Sequence, residues 1–168
     1  MKTTLITGGL GFIGSNICDS LLQKKYTNKC ILLDNFGGYM NPIKDSFVDF
    51  RKQRFPSLKN IIIERCDTSN YKALSSIINK YKPNYIYHTA ALPLAKVSNL
   101  NNEEAKISSV DSTVNIIDAI NLLKNSNQKY QFDRFVYFSS SMVYGDFKKS
   151  TVTEESEKNP KDAYGIMK

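Results

Sequence analysis

A cluster of glycines between an apolar segment and an amphipathic one restricts this chain to few folds. The glycines follow the apolar segment Thr3–Thr7 and fit two overlapping spacings, Gly9-x-Gly11-x-x-Gly14 and Gly8-x-x-Gly11-x-x-Gly14. In such a turn one glycine lets the chain reverse tightly, one lets backbone N–H groups approach a pyrophosphate, and one lets the next helix pack close to the strand. The pattern therefore predicts a strand, a phosphate-binding turn and a helix, in that order.

An acidic residue at the end of the next strand is the second part of this fingerprint. Asp34 lies twenty residues after Gly14 and closes the apolar segment Cys30–Asp34. A carboxylate there accepts hydrogen bonds from ribose hydroxyls and repels a 2′-phosphate, so it favours NAD over NADP as the cofactor. The alternative is a loop aspartate that caps a turn, and the glycine pattern favours the cofactor interpretation.

Strand and helix patterns alternate along the whole chain. This alternation predicts an α/β fold, a doubly wound parallel sheet of the Rossmann type with helices on both faces. The predicted strands are 2–7, 30–34, 60–65, 84–88 and 133–139, and the predicted helices are 12–25, 70–82, 103–124 and one that begins near Asp162.

Two of the predicted helices carry apolar stripes that we expect to face the core. We assign no chemistry to either stripe. The first consists of Leu74, Ile77, Ile78 and Tyr81, and the second, less regular one of Val110, Val114, Ile117 and Leu122.

The connection over residues 35–59 is longer than an ordinary loop. It contains spaced aromatic residues interleaved with basic ones. Two interpretations remain open: an amphipathic helix that packs on the sheet edge, or a flap over the adenosine end of a bound dinucleotide.

Composition excludes several classes of function. The chain has 168 residues and a formal charge of +7, but its lysines are scattered and form no basic stripe, so we expect no nucleic-acid partner. No segment is apolar enough to span a membrane, and the start of the chain is too short for a signal peptide, so we expect a cytoplasmic protein. The cysteines Cys18, Cys30 and Cys66 lack metal-ligand spacing, and we expect no bound metal.

Tyr164 and Lys168 lie four residues apart at the end of the chain. On a helix this spacing places both side chains on one face. A cation held beside a tyrosine favours the phenolate, so the pair could act as a proton-transferring base. Taken alone, the same spacing is equally typical of a solvated helix.

Taken together, these segments resemble the extended short-chain dehydrogenase/reductase family, the NAD-dependent epimerase/dehydratase group that acts on nucleotide sugars. The resemblance covers the whole chain and rests on five motifs in the family's order. They are Thr7-Gly8-Gly9-Leu10-Gly11-Phe12-Ile13-Gly14, Leu33-Asp34-Asn35, Cys66-Asp67-Thr68, His88-Thr89-Ala90-Ala91 and Ser139-Ser140-Ser141-Met142-Val143-Tyr144-Gly145, followed by Tyr164-x-x-x-Lys168.

The resemblance implies roles for individual residues. Asp67 would hold the adenine, and the turn after His88 would line the pyrophosphate and the nicotinamide ribose. Ser140 would be the catalytic hydroxyl beside Tyr164 and Lys168, although a serine-rich strand end that satisfies local backbone is the alternative. The implied cofactor-binding residues are Gly8, Gly11, Phe12, Ile13, Gly14, Asp34, Asn35, Asp67, Thr68, Thr89, Ala90, Ala91, Tyr164 and Lys168.

His88 is the only histidine of the chain. It is a tempting general base, but the family assigns the acid/base work to a tyrosine. We therefore interpret His88 as a structural residue.

Departures from the family pattern fall close to the implied active site. Ser109 stands where the family has an asparagine that helps to order the site. The lysine that some epimerases carry is replaced by Pro93, and Lys96 could substitute for it. Ser141 and Met142 occupy the positions where 4,6-dehydratases carry Asp-Glu, so they cannot supply the acid and base of water elimination.

The resemblance implies an NAD-dependent nucleotide-sugar epimerase, 4-epimerase-like, that transfers a hydride to NAD and back. A dehydrogenase or reductase of the same family and a non-catalytic NAD-binding relative are the alternatives. We expect residues 1–168 to be the NAD-binding domain of a longer enzyme, truncated before the last strand and the substrate-binding region, and inactive alone. The longer enzyme is expected to bind a nucleotide sugar and to form a homodimer.

Overall fold

The computed structural model describes residues 2–37, 53, 55, 59–92, 102–148 and 150–168. Strands and helices alternate through these ranges, as the sequence pattern predicts. The strands are β1 (Thr3–Thr7), β2 (Lys29–Asp34), β3 (Ile61–Arg65), β4 (Tyr85–His88) and β5 (Arg134–Tyr137). The helices are α1 (Phe12–Gln23), α2 (Tyr71–Tyr81), α3 (Asn102–Lys106), a π-helical segment (Ile107–Asp111), α4 (Ser112–Ser126), a 3₁₀ turn (Ser141–Tyr144) and α5 (Ala163–Ile166).

The five strands form one parallel sheet in the order β3-β2-β1-β4-β5. This order reverses beside β1, which is the switch point of a doubly wound fold. The register aligns Thr7 with Leu33 on one side and with His88 on the other. His88 in turn pairs with Tyr137. The carboxyl ends of the central strands therefore meet at one edge, where such folds bind ligands.

Both faces of the sheet are buried, and alternate residues of each central strand enter different cores. Leu5 and Ile31 belong to the core under α2 and α4, whereas Ile6 and Leu32 belong to the core under α1. All four are fully buried. A strand buried on both faces must be almost continuously apolar, which explains the uninterrupted apolar runs of β1 and β2. Each such side chain contributes about 1.5–3 kcal/mol through burial.

The predicted helix 103–124 is present, but it contains a π-helical segment that the sequence pattern does not predict. At its end the backbone N–H of Ser112 bonds to the carbonyl of Ile107, five residues back. The predicted strand 133–139 is also shorter than expected, because the chain leaves the sheet after Tyr137. A helix does begin near Asp162, which caps it: the Asp162 carboxylate accepts a hydrogen bond of 2.7 Å from the N–H of Gly165.

One of the two predicted core stripes is correct and the other is wrong. Leu74 and Ile78 are buried, with Ile77 and Tyr81 packed against the same core. In α4, however, Val114, Ile117 and Leu122 are 47%, 41% and 56% exposed. These three residues lie within the regular helix α4, on a face other than the one that packs on the core. The buried residues of α4 are Ser112, Ile116, Ala119, Ile120 and Leu123.

Two predictions fall largely outside the described residues. The segment 35–59, interpreted as an edge helix or a flap, is described only at a few positions, among which Phe55 is buried in the core under α1. Pro93 and Lys96 also lie outside the described ranges. Within those ranges, no helix combines the length and the apolar character that crossing a membrane requires.

Candidate functional site

A cavity of about 640 Å³ opens at the carboxyl edge of the sheet. The ends of β1, β2, β3 and β4 contribute to it, together with α3 and the π-helical segment. Its lining residues are Gly8, Gly11, Leu33, Asp34, Asn35, Gly37, Cys66, Asp67, Thr68, Thr89, Ala90, Ala91, Leu92, Glu104, Ile107 and Ser108. Nine of the residues implied by the sequence motifs therefore line one space.

The glycine turn forms one end of the cavity. Gly8 has a φ of +63°, and a Cβ on it would lie 3.0 Å from the backbone nitrogen of Ala90. A Cβ on Gly14 would lie 2.4 Å from the carbonyl oxygen of Gly8, which is closer than any side chain permits. The first turn of α1 can therefore approach β1 only with glycine at position 14. The N–H groups at this helix start have no intrahelical partner and can bind phosphate.

Asp34 lies at the end of β2 and is 8% exposed. Its carboxylate accepts hydrogen bonds from the N–H of Leu10 at 3.1 Å and from the N–H of Phe36 at 3.0 Å. The carboxylate thus joins the glycine turn to the strand end as well as facing the cavity. The sequence predicted the position of this acid, but not that it holds the glycine turn.

Asn35 connects the ends of β2 and β3. Its side-chain NH₂ donates to the Asp67 carboxylate at 3.1 Å, and its side-chain oxygen accepts from the N–H of Gly37 at 2.8 Å. Asp67 also accepts from the N–H and hydroxyl of Ser69 at 2.9 and 2.7 Å. Burial acts to raise the pKa of Asp67, but the bonds from Ser69 and Asn35 outweigh it and hold the pKa below its usual value. Asp67 is therefore an ionised acceptor in the cavity wall.

The turn after β4 is held against β1. The hydroxyl of Thr89 donates to the carbonyl of Thr7 at 2.6 Å, and the N–H of Ala90 donates to the Thr7 hydroxyl at 3.2 Å. These bonds place Thr89 and Ala90 beside the glycine turn. The backbone of both residues can then face a ligand that lies across the strand ends.

The wall opposite the glycine turn was not predicted from the sequence. Glu104, Ile107 and Ser108 come from α3 and the π-helical segment and complete the cavity on that side. No motif marks these positions. Only the packing of this helix against the sheet brings them to the strand ends.

The three implied catalytic residues do not line the cavity, but they lie near one another beyond β5. The 3₁₀ turn that follows Ser140 contacts α5, which carries Tyr164. The Lys168 ammonium lies 5.8 Å from the centre of the Tyr164 ring and 4.9 Å from that of the Tyr137 ring. It donates a hydrogen bond of 3.1 Å to the carbonyl of Phe138. The end of β5 thus positions the lysine beside the tyrosine.

Ser140 is held in a defined orientation. Its Oγ accepts a hydrogen bond of 3.2 Å from the N–H of Met142. Because a hydroxyl carries one proton, this arrangement leaves that proton available to donate to a substrate oxygen. The neighbouring Ser139 hydroxyl donates to the main-chain oxygen of Lys168 at 2.9 Å and so ties the two segments together.

Burial and charge change the ionisation of two basic groups near this end of the sheet. Burial lowers the pKa of Lys168 from its usual value. His88 is buried, and burial together with the charge of Lys168 lowers its pKa to about 4. A neutral His88 cannot share positive charge with Lys168, so the ammonium is the main cation beside Tyr164.

Ser109, at the family's asparagine position, is 2% exposed. Within the described residues, its Oγ is the only buried side-chain polar atom that lacks a hydrogen-bond partner. An unsatisfied buried hydroxyl costs about 1–3 kcal/mol. The substitution therefore leaves a polar defect in the π-helical segment, next to the cavity-lining Ser108.

Three implied cofactor residues outside the catalytic group do not line the cavity. Phe12 and Ile13 expose 77% and 52% of their surface at the start of α1, and Gly14 is buried beneath the turn. Their roles stay predictions. The described residues hold no cluster of histidine, cysteine or carboxylate side chains that could bind a metal ion.

The chain is similar to a protein family and to several known proteins. Residues 5–168 match the family model described as GDP-mannose 4,6-dehydratase. A UDP-glucose 4-epimerase of Caenorhabditis elegans is 31% identical over 155 residues, which are 91% of this chain and 42% of that protein. A dTDP-D-glucose 4,6-dehydratase of Dictyostelium discoideum is 28% identical over 159 residues, 95% of this chain and 32% of that protein.

A solved structure shows the same fold. The UDP-glucose 4-epimerase of Stenotrophomonas maltophila, crystallised with NAD and formylated UDP-arabinopyranose, superimposes with a TM-score of 0.78 at 20% identity. The superposition covers 99% of this chain and 45% of that protein. The chain thus spans less than half the length of each of these relatives.

Proposed function

The chain belongs to the GDP-mannose 4,6-dehydratase family of extended short-chain dehydrogenases/reductases, and we propose that residues 1–168 are the NAD-binding domain of a nucleotide-sugar 4-epimerase. One observation carries the cofactor assignment: a glycine turn and two carboxylates, Asp34 and Asp67, face the same cavity at the switch point of the sheet. This arrangement matches the two chemically different parts of a dinucleotide, its phosphates and its ribose and adenine groups.

The residues present fit this cofactor. The absence of a Cβ at Gly8 and Gly14 lets the turn pack against Ala90 and the start of α1 pack against Gly8. The free N–H groups of the helix start can then bind a pyrophosphate, and Asp34 can accept bonds from ribose hydroxyls. Asn35 holds Asp67 in place for the adenine. When bound, NAD would supply a hydride acceptor that can return the hydride to the opposite face of the sugar.

The chain's own residues would move the proton. Tyr164 would remove it from the sugar hydroxyl, with the Lys168 ammonium 5.8 Å from the ring centre to stabilise the phenolate. Ser140, whose Oγ is oriented by Met142, would donate to the developing carbonyl oxygen. None of the three lines the cavity itself, so the sugar would have to bind beyond it, towards the end of β5.

Epimerisation is proposed over dehydration for a chemical reason. Water elimination needs an acid and a base beside the catalytic hydroxyl, and Ser141 and Met142 can supply neither. A dehydrogenase or reductase uses the same three residues and differs only in releasing the keto sugar. A non-catalytic relative would keep the cavity alone, and the presence of Ser140, Tyr164 and Lys168 argues against it.

We propose that the whole protein is a homodimer that binds a nucleotide sugar. The exposed apolar residues Val114, Ile117 and Leu122 of α4 support a second copy as partner. A helix face of this kind gains free energy when it is covered.

Calorimetry with NAD and NADP tests the cofactor assignment. Because the Asp34 carboxylate would face the 2′-phosphate, NAD should bind at least about tenfold more tightly than NADP. Asp34→Asn should reduce this ratio, whereas Asp118→Asn, an exposed carboxylate change on α4, should leave it unchanged. Equal or tighter binding of NADP by the unaltered chain would contradict the assignment.

Product analysis of the whole protein tests the reaction class. With UDP-sugars, interconversion of 4-epimers without net NADH is the expected result. Accumulation of NADH and a free keto sugar would identify a dehydrogenase. Failure of every nucleotide sugar in a panel to reduce the bound NAD would favour the non-catalytic relative.

A further inference from the structure

His88 is buried between the two walls of the cavity without lining it. It lies at the carboxyl end of β4 and is 1% exposed. Its ring faces Phe135 and Tyr137, with centroids 6.1 and 5.9 Å away. The reaction proposed above assigns it no proton transfer, yet both of its ring nitrogens are hydrogen-bonded.

The two partners of His88 belong to opposite sides of the site. The Thr7 hydroxyl lies 2.7 Å from Nδ1, and the Ser112 hydroxyl lies 3.2 Å from Nε2. Thr7 also accepts from the N–H of Ala90, while Ser112 donates to the carbonyl of Ser108 at 2.8 Å. Ala90 and Ser108 both line the cavity, one beside the glycine turn and one on the opposite wall.

The Ser108 carbonyl, at one end of this series of hydrogen bonds, fixes the positions of the protons. A carbonyl has no proton to give, so the single hydroxyl proton of Ser112 goes to Ser108. Ser112 can then only accept from His88, which requires a proton on Nε2. A neutral ring with that proton accepts at Nδ1, where the Thr7 hydroxyl donates. Each group in the series therefore donates to the next one, from the Ala90 N–H at one end to the Ser108 carbonyl at the other.

The π-helical segment leaves the Ser108 carbonyl without its usual backbone donor, and the Ser112 hydroxyl bonds to it instead. In a regular α-helix the N–H of Ser112 would bond to the carbonyl of Ser108. Here that N–H bonds to Ile107 instead, and the Ser112 hydroxyl takes its place on Ser108. The π turn and the imidazole are thus linked through one serine.

We propose that His88 is a positioning residue that, as the neutral tautomer protonated on Nε2, couples the Ala90 turn to the Ser108 wall and so fixes the width of the dinucleotide cavity. The proposal rests on the proposed function, because that function supplies the ligand. Histidine suits the position because it offers one acceptor and one donor at opposite ends of a flat ring. Asn and Gln also carry a donor and an acceptor, but not at opposite ends of a rigid ring.

Nuclear magnetic resonance of the 168-residue chain without ligand tests the tautomer. Because the chain contains one histidine, ¹⁵N-labelled histidine gives a single pair of ring signals. At neutral pH we expect a protonated Nε2 and an unprotonated Nδ1, with hydrogen-bond couplings or slow exchange at Nε2–H. A protonated Nδ1, a tautomer mixture or an imidazolium ring would overturn the proposal.

Three substitutions of His88 then test its two hydrogen bonds separately. His88→Asn keeps an acceptor near Thr7, His88→Gln keeps a donor near Ser112, and His88→Leu keeps neither. Hydrogen exchange of the Ala90 N–H should accelerate in His88→Leu and His88→Gln but much less in His88→Asn. Tyr87→Phe, on the neighbouring position of β4, is the matched control and should change neither the Ala90 exchange nor the tautomer. Equal Ala90 exchange in all three His88 variants would contradict the coupling.

Cofactor binding separates this proposal from the function on which it rests. His88→Leu should weaken NAD binding about tenfold, as expected for the loss of one buried hydrogen bond. His88→Asn and His88→Gln should each recover part of the affinity. If the unaltered chain shows the expected tautomer but binds no NAD, the proposed function fails and the coupling stands. If NAD binds the unaltered chain and His88→Leu equally well, the positioning role fails and the function stands.

Discussion

The cofactor side and the catalytic side of this site are built in different ways. On the cofactor side, Gly8, Asp34 and Asp67 are attached directly to strand ends or the turns after them, and paired strands set their separation. On the catalytic side, Ser140 precedes a 3₁₀ turn and Tyr164 lies in α5, and neither element belongs to the sheet. Side-chain hydrogen bonds connect them to the end of β5, such as those from Lys168 to Phe138 and from Ser139 to Lys168.

Because of this difference, cofactor binding and catalysis can be lost separately. A cavity formed by strand ends is as stable as the sheet itself, since moving its residues means breaking the ladder. Elements outside the sheet depend on local packing, so their residues can shift while the cofactor cavity remains intact. Substitutions on one side should therefore leave the other side measurable.

The largest expected effect separates catalysis from cofactor binding. In the whole protein, Tyr164→Phe should lower turnover about 10²- to 10⁴-fold, because only the proton-transferring oxygen is removed. Affinity for NAD should stay close to that of the unaltered protein, as measured by calorimetry. Tyr26→Phe, which alters an exposed tyrosine far from the site, is the control. Unchanged turnover in Tyr164→Phe would exclude this base.

The next largest expected effect is a change in the free energy of unfolding with pH. It depends on His88 and on its neighbour Lys168 of the catalytic side. Burial and the charge of Lys168 lower the pKa of His88 from 6.5 to about 4 in the folded chain. Between these values the unfolded chain binds one proton more, so the free energy of unfolding should fall as pH drops from 6.5 to 4. The contribution of His88 is about 3 kcal/mol, fully present above pH 6.5.

Denaturant unfolding at a series of pH values measures this contribution. Carboxylates such as Asp67 add their own pH dependence, so the comparison must be made with His88→Gln, which keeps them and removes only the titrating ring. The difference between the two profiles isolates the histidine. Parallel profiles over this pH range would show that His88 does not titrate with a lowered pKa.

The smallest expected effect comes from a substitution on the cofactor side alone, which lowers stability and NAD affinity. Gly14→Ala places a Cβ 2.4 Å from the Gly8 carbonyl oxygen, so the first turn of α1 must move away from β1. We expect a loss of about 1–3 kcal/mol in the free energy of unfolding and weaker NAD binding. Ser20→Ala, at an exposed position of the same helix, should have no such effect. Normal NAD affinity in Gly14→Ala would show that the close approach is unnecessary.

Local spacing was enough to predict part of the cofactor side. The glycines and Asp34 each follow a strand at a set distance, and parallel strands necessarily bring their carboxyl ends to one edge. The role of Asp67, in contrast, was implied only by the family resemblance. The same logic failed for α4, where a regular period selected Val114 and Leu122 as core residues and both are exposed. The apolar residues of α4 occupy more than one face, and only packing against the sheet decides that Ile116, Ile120 and Leu123 are the buried ones.

The alternation of strand and helix patterns and the glycine spacing determined the fold class, because each depends on residues close together in the chain. The order β3-β2-β1-β4-β5 is one that a doubly wound sheet allows, but the structure supplied it. Only the tertiary structure decided that Glu104 and Ser108 form the opposite wall and that His88 connects it to Ala90. These contacts join residues far apart in sequence, and their geometry depends on how closely helix and sheet pack, which no local pattern records.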